Sequence, residues 1–275
     1  MGLFSGLHTK VAVYMLYRLY VQLFDLEQRW NVLIIVIMII SMMIGAFGGL
    51  AENSIRRVLG YQMLNGMPFI LVMLAFTSDD PRRALAAGIM YTIHHMVTVG
   101  SLILASGAIE ETYGTGLLSK LSGLARRDPI IAWIFAAGAF SVVGFPPFSG
   151  MWGKLMIVFE IARVGGAWAW IAIAAIIIAS FAAFLAMLRV WRKVFWGKGL
   201  PEDKVPDELV IRKKLMAPSA ALILGSLCMF IFSGIVLDVV DSAAEQLLDT
   251  NAYTETVLGD EPIAVPNIDE IQEGR

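Results

Sequence analysis

Apolar residues come in long runs along this chain, with short polar stretches between them, and the runs are about as long as a bilayer is thick. The pattern predicts an all-α polytopic membrane protein with about seven transmembrane helices, over residues 3–24, 31–51, 59–77, 84–108, 129–163, 166–190 and 216–239. Of the joining segments only 109–128 and 191–215 are long, and both are polar. The fifth run stands apart because the stretch Val142 to Lys154 carries Gly144, Pro146, Pro147, Gly150, Gly153 and a lysine. A proline offers no backbone donor and clashes with a continuing helix, so this run predicts a helix broken at membrane depth. Broken backbone in oil is tolerated beside a protein-lined cavity, and Lys154, about two turns past the break, is the kind of residue such a cavity serves. The plain alternative is a prolyl kink with a lysine reaching for the headgroups.

Polar side chains inside the other runs fall into few places. Lys10, with His8 nearby, lies about 13 Å into a core about 30 Å thick if Met1 is near the interface. Arg18, two turns on, reads as a residue snorkelling to the far interface, and Tyr14, Tyr17 and Tyr20 suit either a lining or a lipid belt. The second run is uncharged and ends Gly-Ala-Phe-Gly-Gly, small residues that allow close helix approach; Ser54 or Asn53 then suits the cap of the next helix. Asn65, Gly66 and Pro68 put a polar, flexible patch inside the third run. The fourth carries Tyr91, Thr92, His94 and His95 at its middle. Adjacent histidines diverge by about 100° on a helix, so one of them faces a given path, and His95 is favoured over His94. Neither has Cys, Asp or Glu at ligand spacing, and no metal site is expected. The sixth run reads as scaffold.

Composition fixes the class and the charges suggest an orientation. Hydrophobic residues make up 58% of the 275 and charged ones 16%, with a mean hydropathy of +0.72, outside the soluble range. A net charge of −2 argues against a nucleic-acid partner. The faces reached after runs two, four and six hold Arg56, Arg57, Lys120, Arg126, Arg127, Arg189 and the cluster from Arg192 to Lys214; the opposite face holds Arg29, Arg82, Arg83, Arg163 and Arg275. The positive-inside rule then places the N-terminus in the cytoplasm and the acidic tail outside. No signal peptide is read at the start. Cys228 is expected as a buried inert thiol. The expected division is a transmembrane domain over 1–240 and an acidic, partly disordered tail over 241–275, with a short amphipathic helix within 242–258.

No hydrolase triad, phosphate loop, dinucleotide fingerprint or haem or iron–sulfur ligand set is visible, so no cofactor is expected. What remains is a row of basic groups on three helices, Lys10, His95 and Lys154, with His94 as a weaker member. Removal from water disfavours a charged lysine, which lets it give and take protons, and such a row is raw material for a proton relay.

At these residues the chain resembles a known family. Ser-Gly-Leu-His-Thr-Lys-Val-Ala-Val-Tyr-Met-Leu-Tyr-Arg (5–18), Ala-Glu-Asn-Ser-Ile-Arg-Arg-Val-Leu-Gly-Tyr (51–61), Ile-His-His-Met (93–96) and Gly-Phe-Pro-Pro-Phe-Ser-Gly-Met-Trp-Gly-Lys (144–154) resemble, in order and spacing, the proton-translocating antiporter-like subunits. These are shared by respiratory complex I, membrane-bound hydrogenases and multisubunit Mrp sodium/proton antiporters, and residues 243–259 look most like the D subunits of the Mrp group. The resemblance implies that Lys10 is the family's central lysine, His95 the histidine of its connecting helix and Lys154 the terminal lysine of its second broken helix. It covers the back half of the family fold of about fourteen helices, which implies either a partner supplying the front half or a truncated relic. Gln62 to Pro68 depart from the family's Ser/Gly-rich stretch, and Val99 stands where many members carry a lysine. The resemblance implies a membrane subunit of a cation (sodium)/proton antiporter in a bacterial inner membrane, an ion transporter rather than an enzyme, working with other subunits. A proton-pumping subunit of a redox complex and a non-conducting scaffold are the alternatives.

Overall fold

A computed structural model describes residues 7–198 and 209–259, and the elements among them are helices. In chain order these are α1 (Thr9–Gln22), α2 (Asn31–Ala51), α3 (Ile55–Leu71), α4 (Pro81–Tyr113), α5 (Leu124–Arg127), α6 (Pro129–Val143), α7 (Gly150–Val164), α8 (Gly166–Val190), α9 (Lys213–Ile231), α10 (Ser233–Leu248) and α11 (Thr250–Leu258). Among the described residues five helical segments are long and apolar enough to cross a membrane: Gln28–Ala51, Ile55–Ala75, Pro81–Tyr113, Gly166–Phe195 and Lys213–Ile231. The chain is thus a polytopic, all-α membrane protein. Large apolar side chains face outward in belts along α2 (Leu33, Ile37, Ile40, Ile44) and α8 (Trp170, Ile177, Ile178, Phe181), as a lipid-facing surface requires.

Local chemistry sets the helix ends. The Asp80 carboxylate accepts from the Arg83 backbone N–H at 3.2 Å, with Pro81 in the first turn, and α4 closes on Gly114 at φ +68°. Arg189 of α8 donates to the Leu50 carbonyl at 2.8 Å and to that of Glu52, placing a cation on the carbonyl end of α2. Gly48 lets the Tyr61 ring of α3 press on α2, since a Cβ there would lie 2.3 Å from the ring. α4 is the axial element, packed against α3, α6, α7, α9 and α10.

Four expectations are corrected. The run 216–239 is not one helix: α9 stops at Ile231, Phe232 leaves helical geometry, and α10 restarts at Ser233. The helix expected within 242–258 is also divided, its first part continuing α10 to Leu248 and its second, α11, capped by Asp249, whose carboxylate accepts from the Ala252 N–H at 3.0 Å. Cys228 is exposed on α9 rather than buried. Ser54 occupies the cap position of α3 without making the side-chain bond, and the Asn53 amide oxygen instead accepts from Arg189 at 2.8 Å. Arg18 reaches the Leu247 carbonyl at 3.4 Å and lies over the Tyr253 ring at 4.6 Å, so it ties α1 to α10 and α11. α10 runs without interruption across position 240, with Ala244 and Leu247 buried. Residues 3–6 of the first expected run, 199–208 of the polar segment before α9 and 260–275 of the tail lie outside the described residues.

The interior is divided into two apolar cores. One gathers Ala84 to Tyr91 of α4, Phe69 and Ile70 of α3, Ile157 and Ile161 of α7, and Ala169 to Ala182 of α8. The other gathers Val99 to Ile109 of α4, Ile55 to Leu59 of α3, Ile131 to Val142 of α6, and Ala186 to Val190 of α8. Between them lie several buried polar residues: Gln62 and Asn65 on α3, His94, His95 and Thr98 on α4, with Ser141 on α6, Ser149 at the head of α7 and Ser226 on α9. A polar layer therefore crosses the bundle at mid-height, and the expected break in 129–163 falls within it.

Candidate functional site

Gly144 ends α6 at φ +101°, and the backbone resumes as a helix at Gly150. The break leaves the Val143 carbonyl without a helical partner, and Lys154 Nζ donates to it at 2.8 Å. The same ammonium donates to Ser180 Oγ of α8 at 2.9 Å and stands 5.2 Å from the Phe69 ring centroid. Lys154 is thus held by a carbonyl, a hydroxyl and an aromatic face, and none of the ion pairs among the described residues includes it. Gly150 permits this packing, because a Cβ there would sit 1.9 Å from the Ser141 carbonyl oxygen.

His94 and His95 are both buried, and their surroundings differ. His94 Nδ1 lies 2.9 Å from Ser149 Oγ and 3.3 Å from Thr98 Oγ1. His95 stands over Gly66 of α3, its Nε2 only 1.9 Å from where a Cβ would be. Neither ring nitrogen of His95 meets full hydrogen-bond geometry among the described residues, and the Gln62 backbone carbonyl is the acceptor that approaches the ring. Both polar atoms of the Gln62 side chain and Asn65 Oδ1 are likewise buried without a partner. These atoms lie on α3 and α4, the Gln62 and Asn65 side chains against Gly49 and Gly45 of α2 and His95 against Gly66 of α3. Each would cost about 1–3 kcal/mol if left dry, so together they mark a place suited to water.

Lys10 is 5% exposed, donates to Thr9 Oγ1 at 3.2 Å, and lines a cavity of about 310 Å³ with Tyr14, Tyr17, Arg18, Thr92 and Gln246. α1 is fixed there by Tyr17, whose hydroxyl donates to the Ile70 carbonyl at 2.6 Å and nestles on Gly88 of α4. His95 feels the charge of Lys10, of His94 and of Lys154, and His94 feels that of Lys154. Lys10, His94 and Lys154, on α1, α4 and α7, are thus the three other sequence-derived candidates whose charge His95 feels.

Sequence reasoning missed Ser180 as a holder of Lys154, and it missed Ser141, Ser149 and Ser226 altogether. Gln62 and Asn65 stood out only as a departure and a polar patch. Their side-chain amides in an apolar helix were the available signal. The serines gave none, because a small hydroxyl residue in a membrane helix also serves plain packing.

The sequence pattern of the NADH:quinone oxidoreductase/Mrp antiporter transmembrane family matches residues 2–183. The chain is 31% identical over 259 residues to the D subunit of the Na(+)/H(+) antiporter of Bacillus subtilis (strain 168), a match covering 94% of this chain and 51% of that protein. It is 30% identical over 211 residues to the N subunit of the NADH-quinone oxidoreductase of Hydrogenovibrio crunogenus, covering 76% of this chain and 42% of that protein. Among solved structures, a chain of the Mrp complex from Dietzia sp. DQ12-45-1b superposes with a TM-score of 0.87 at 32% identity, over 94% of this chain and 55% of that one. The chain spans about half the length of the curated relatives it matches. With its family pattern, its relatives and its fold in agreement, the chain belongs to the NADH:quinone oxidoreductase/Mrp antiporter transmembrane family.

Proposed function

We propose that this chain is a membrane subunit of a multisubunit monovalent cation (sodium)/proton antiporter and contributes part of its proton path. The observation that supports the reading is a buried His95, beside a polar layer between two apolar cores, that feels the charge of Lys10 on α1 and of Lys154 on α7. In the proposed mechanism a proton moves laterally from the Lys10 cavity through water beside Gln62 and Asn65 to His95, then on to Lys154. The ammonium of Lys154 is stabilised by the Val143 carbonyl and Ser180 while it holds the proton. A charge arriving at His95 raises the electrostatic cost of that ammonium and drives the proton onward. The cation is handled by neighbouring subunits. The membrane is a bacterial inner membrane, the N-terminal end of α1 faces the cytoplasm, and the tail is extracytoplasmic.

The similarity to the quinone oxidoreductase protein supports a second reading, in which the same layer pumps protons for a redox complex. Everted vesicles carrying the full assembly test both. Under the proposal sodium collapses a preformed pH gradient, and Lys10→Ala and Lys154→Ala each remove most of that response with the assembly intact. A gradient built by NADH oxidation and indifferent to sodium selects the redox reading. Wild-type sodium response in the double variant selects a scaffold.

A further inference from the structure

An open groove of about 490 Å³ runs between α6 and α8. Its α6 wall includes Ala132, Ala136, Ala139 and Val143, at steps of three and four residues, so one small-residue face of that helix lines it. From Pro129 to Val143 the wall is about 21 Å long at about 1.5 Å per residue, against about 15 Å for the hydrocarbon of one leaflet. The groove is therefore long enough to carry an acyl chain from headgroup level to the helix break.

The two ends of the groove differ. Trp133, Trp191 and Trp196 line the end beside α5, where a membrane–water interface collects tryptophan. Arg126 follows the lining residue Ala125, Arg192 and Lys193 follow Trp191, and Lys198 lies two residues past Trp196; all four are exposed. The Ser122 hydroxyl and the Gly123 N–H both donate to the Trp196 carbonyl, at 3.4 and 3.3 Å, so the two basic segments meet at this end. Asp128, the only acid within residues 122–128 and 189–198, is buried and accepts from the Tyr113 hydroxyl and the Ile211 N–H. None of the ion pairs among the described residues includes Arg126, Arg192, Lys193 or Lys198. At the deep end the lining residues are Val143, whose carbonyl accepts from Lys154, and Phe184, one turn past Ser180, which also accepts from Lys154.

A cationic mouth, a tryptophan collar and an apolar shaft one leaflet long complement an anionic headgroup and its acyl chain. A zwitterionic lipid, or a helix of another subunit, fills the shaft and leaves the clustered cations unmatched. We propose that the α6–α8 groove is a seat for an anionic phospholipid, with its phosphate among Arg126, Arg192, Lys193 and Lys198 and one acyl chain lying along α6 to Val143. The end of that chain braces the Val143 carbonyl and the Ser180 turn against Lys154. The seat stands by itself; the brace rests on the reading that Lys154 carries protons.

In vesicles containing the full assembly, phosphatidylglycerol or phosphatidylcholine with a photoreactive group at the end of an acyl chain is activated, and labelled peptides of this chain are identified by mass spectrometry. The seat predicts labelling of α6 between Ala136 and Val143 and of α8 around Phe184, roughly tenfold stronger with phosphatidylglycerol. Neutralising the mouth in Arg192→Gln/Lys193→Gln, or filling the shaft in Ala136→Phe, brings that labelling down to the phosphatidylcholine level. Equal labelling by the two lipids, unmoved by either variant, overturns the seat, since the groove then holds bulk lipid. Labelling of the outward face of α2 with none in the groove also overturns it, because a helix of another subunit then covers the groove. Sodium-dependent collapse of a pH gradient in the same vesicles tests the brace, which predicts a several-fold slower wild-type rate without phosphatidylglycerol. Specific labelling with equal transport in both lipids, beside an inactive Lys154→Ala, overturns the brace and supports the seat. A fully active Lys154→Ala overturns the relay and the brace together, and the labelling alone then decides the seat.

Discussion

Gly66→Ala offers a severe test of the His95 geometry, because helix propensity and the structure pull in opposite directions. In the middle of α3 the exchange favours the helix by roughly 0.5–1 kcal/mol on backbone grounds. The new Cβ would lie 1.9 Å from His95 Nε2 and 2.1 Å from Cδ2. Ordinary contact begins near 3.5 Å, so the imidazole must withdraw by about 1.5 Å. Displacement of a reacting group by about 1 Å can cost around 100-fold in rate, and a proton hop depends on the same alignment. Sodium-dependent collapse of a pH gradient in vesicles bearing the full assembly is therefore expected to slow at least tenfold, with complex abundance within twofold of wild type. Gly60→Ala is the control: it lies on the same helix, its Cβ would meet nothing within 4 Å, and it is expected to transport normally. Equal rates for Gly66→Ala and Gly60→Ala would refute the assignment of His95 as a positioned carrier.

Three further outcomes are expected. Ser180→Ala removes one of the two acceptors of the Lys154 ammonium and slows transport several-fold, while Ser180→Thr restores most of the rate in the same vesicle assay. Gly144→Ala places an L-residue at φ +101° and a Cβ 2.9 Å from Lys154 Cδ; backbone strain alone is about 1–2 kcal/mol, so both thermal stability of the purified complex and transport fall. Tyr113→Phe deletes the 2.5 Å bond from the phenol to Asp128 Oδ2 and lowers the thermal midpoint, by an amount equivalent to about 1–2 kcal/mol, with transport unchanged.

Features that change the local solvent requirement were legible in the sequence. Prolines and glycines in an apolar run foretold the break between Val143 and Gly150, and the lysine after it was conspicuous because a charge in oil demands a partner. The ends of α2 and α8 followed directly from where apolar residues stop. The break at Phe232 was invisible because residues on both sides are apolar, and hydropathy has no term for a change of helix direction. Cys228 was misplaced for a related reason: in lipid an outward face and an inward face are equally apolar. The hydrogen-bonded cluster of Ser141, Ser149 and Ser226 with His94 was beyond reach because its members are far apart in the chain and acquire meaning only by convergence. Gln62 and Asn65 gave a partial signal; that their side chains lie against Gly49 and Gly45 became clear only with α3 laid against α2.

The central claim is that Lys10, His95 and Lys154 share one hydrated layer across the bundle. A density map of the assembled complex, sharp enough to show ordered water, tests it most directly. The account predicts water hydrogen-bonded to the Gln62 and Asn65 side chains and to His95, forming an unbroken chain from the Lys10 cavity to Lys154 Nζ. Well-resolved protein with those atoms dry, and closed apolar packing between His95 and either lysine, would contradict it.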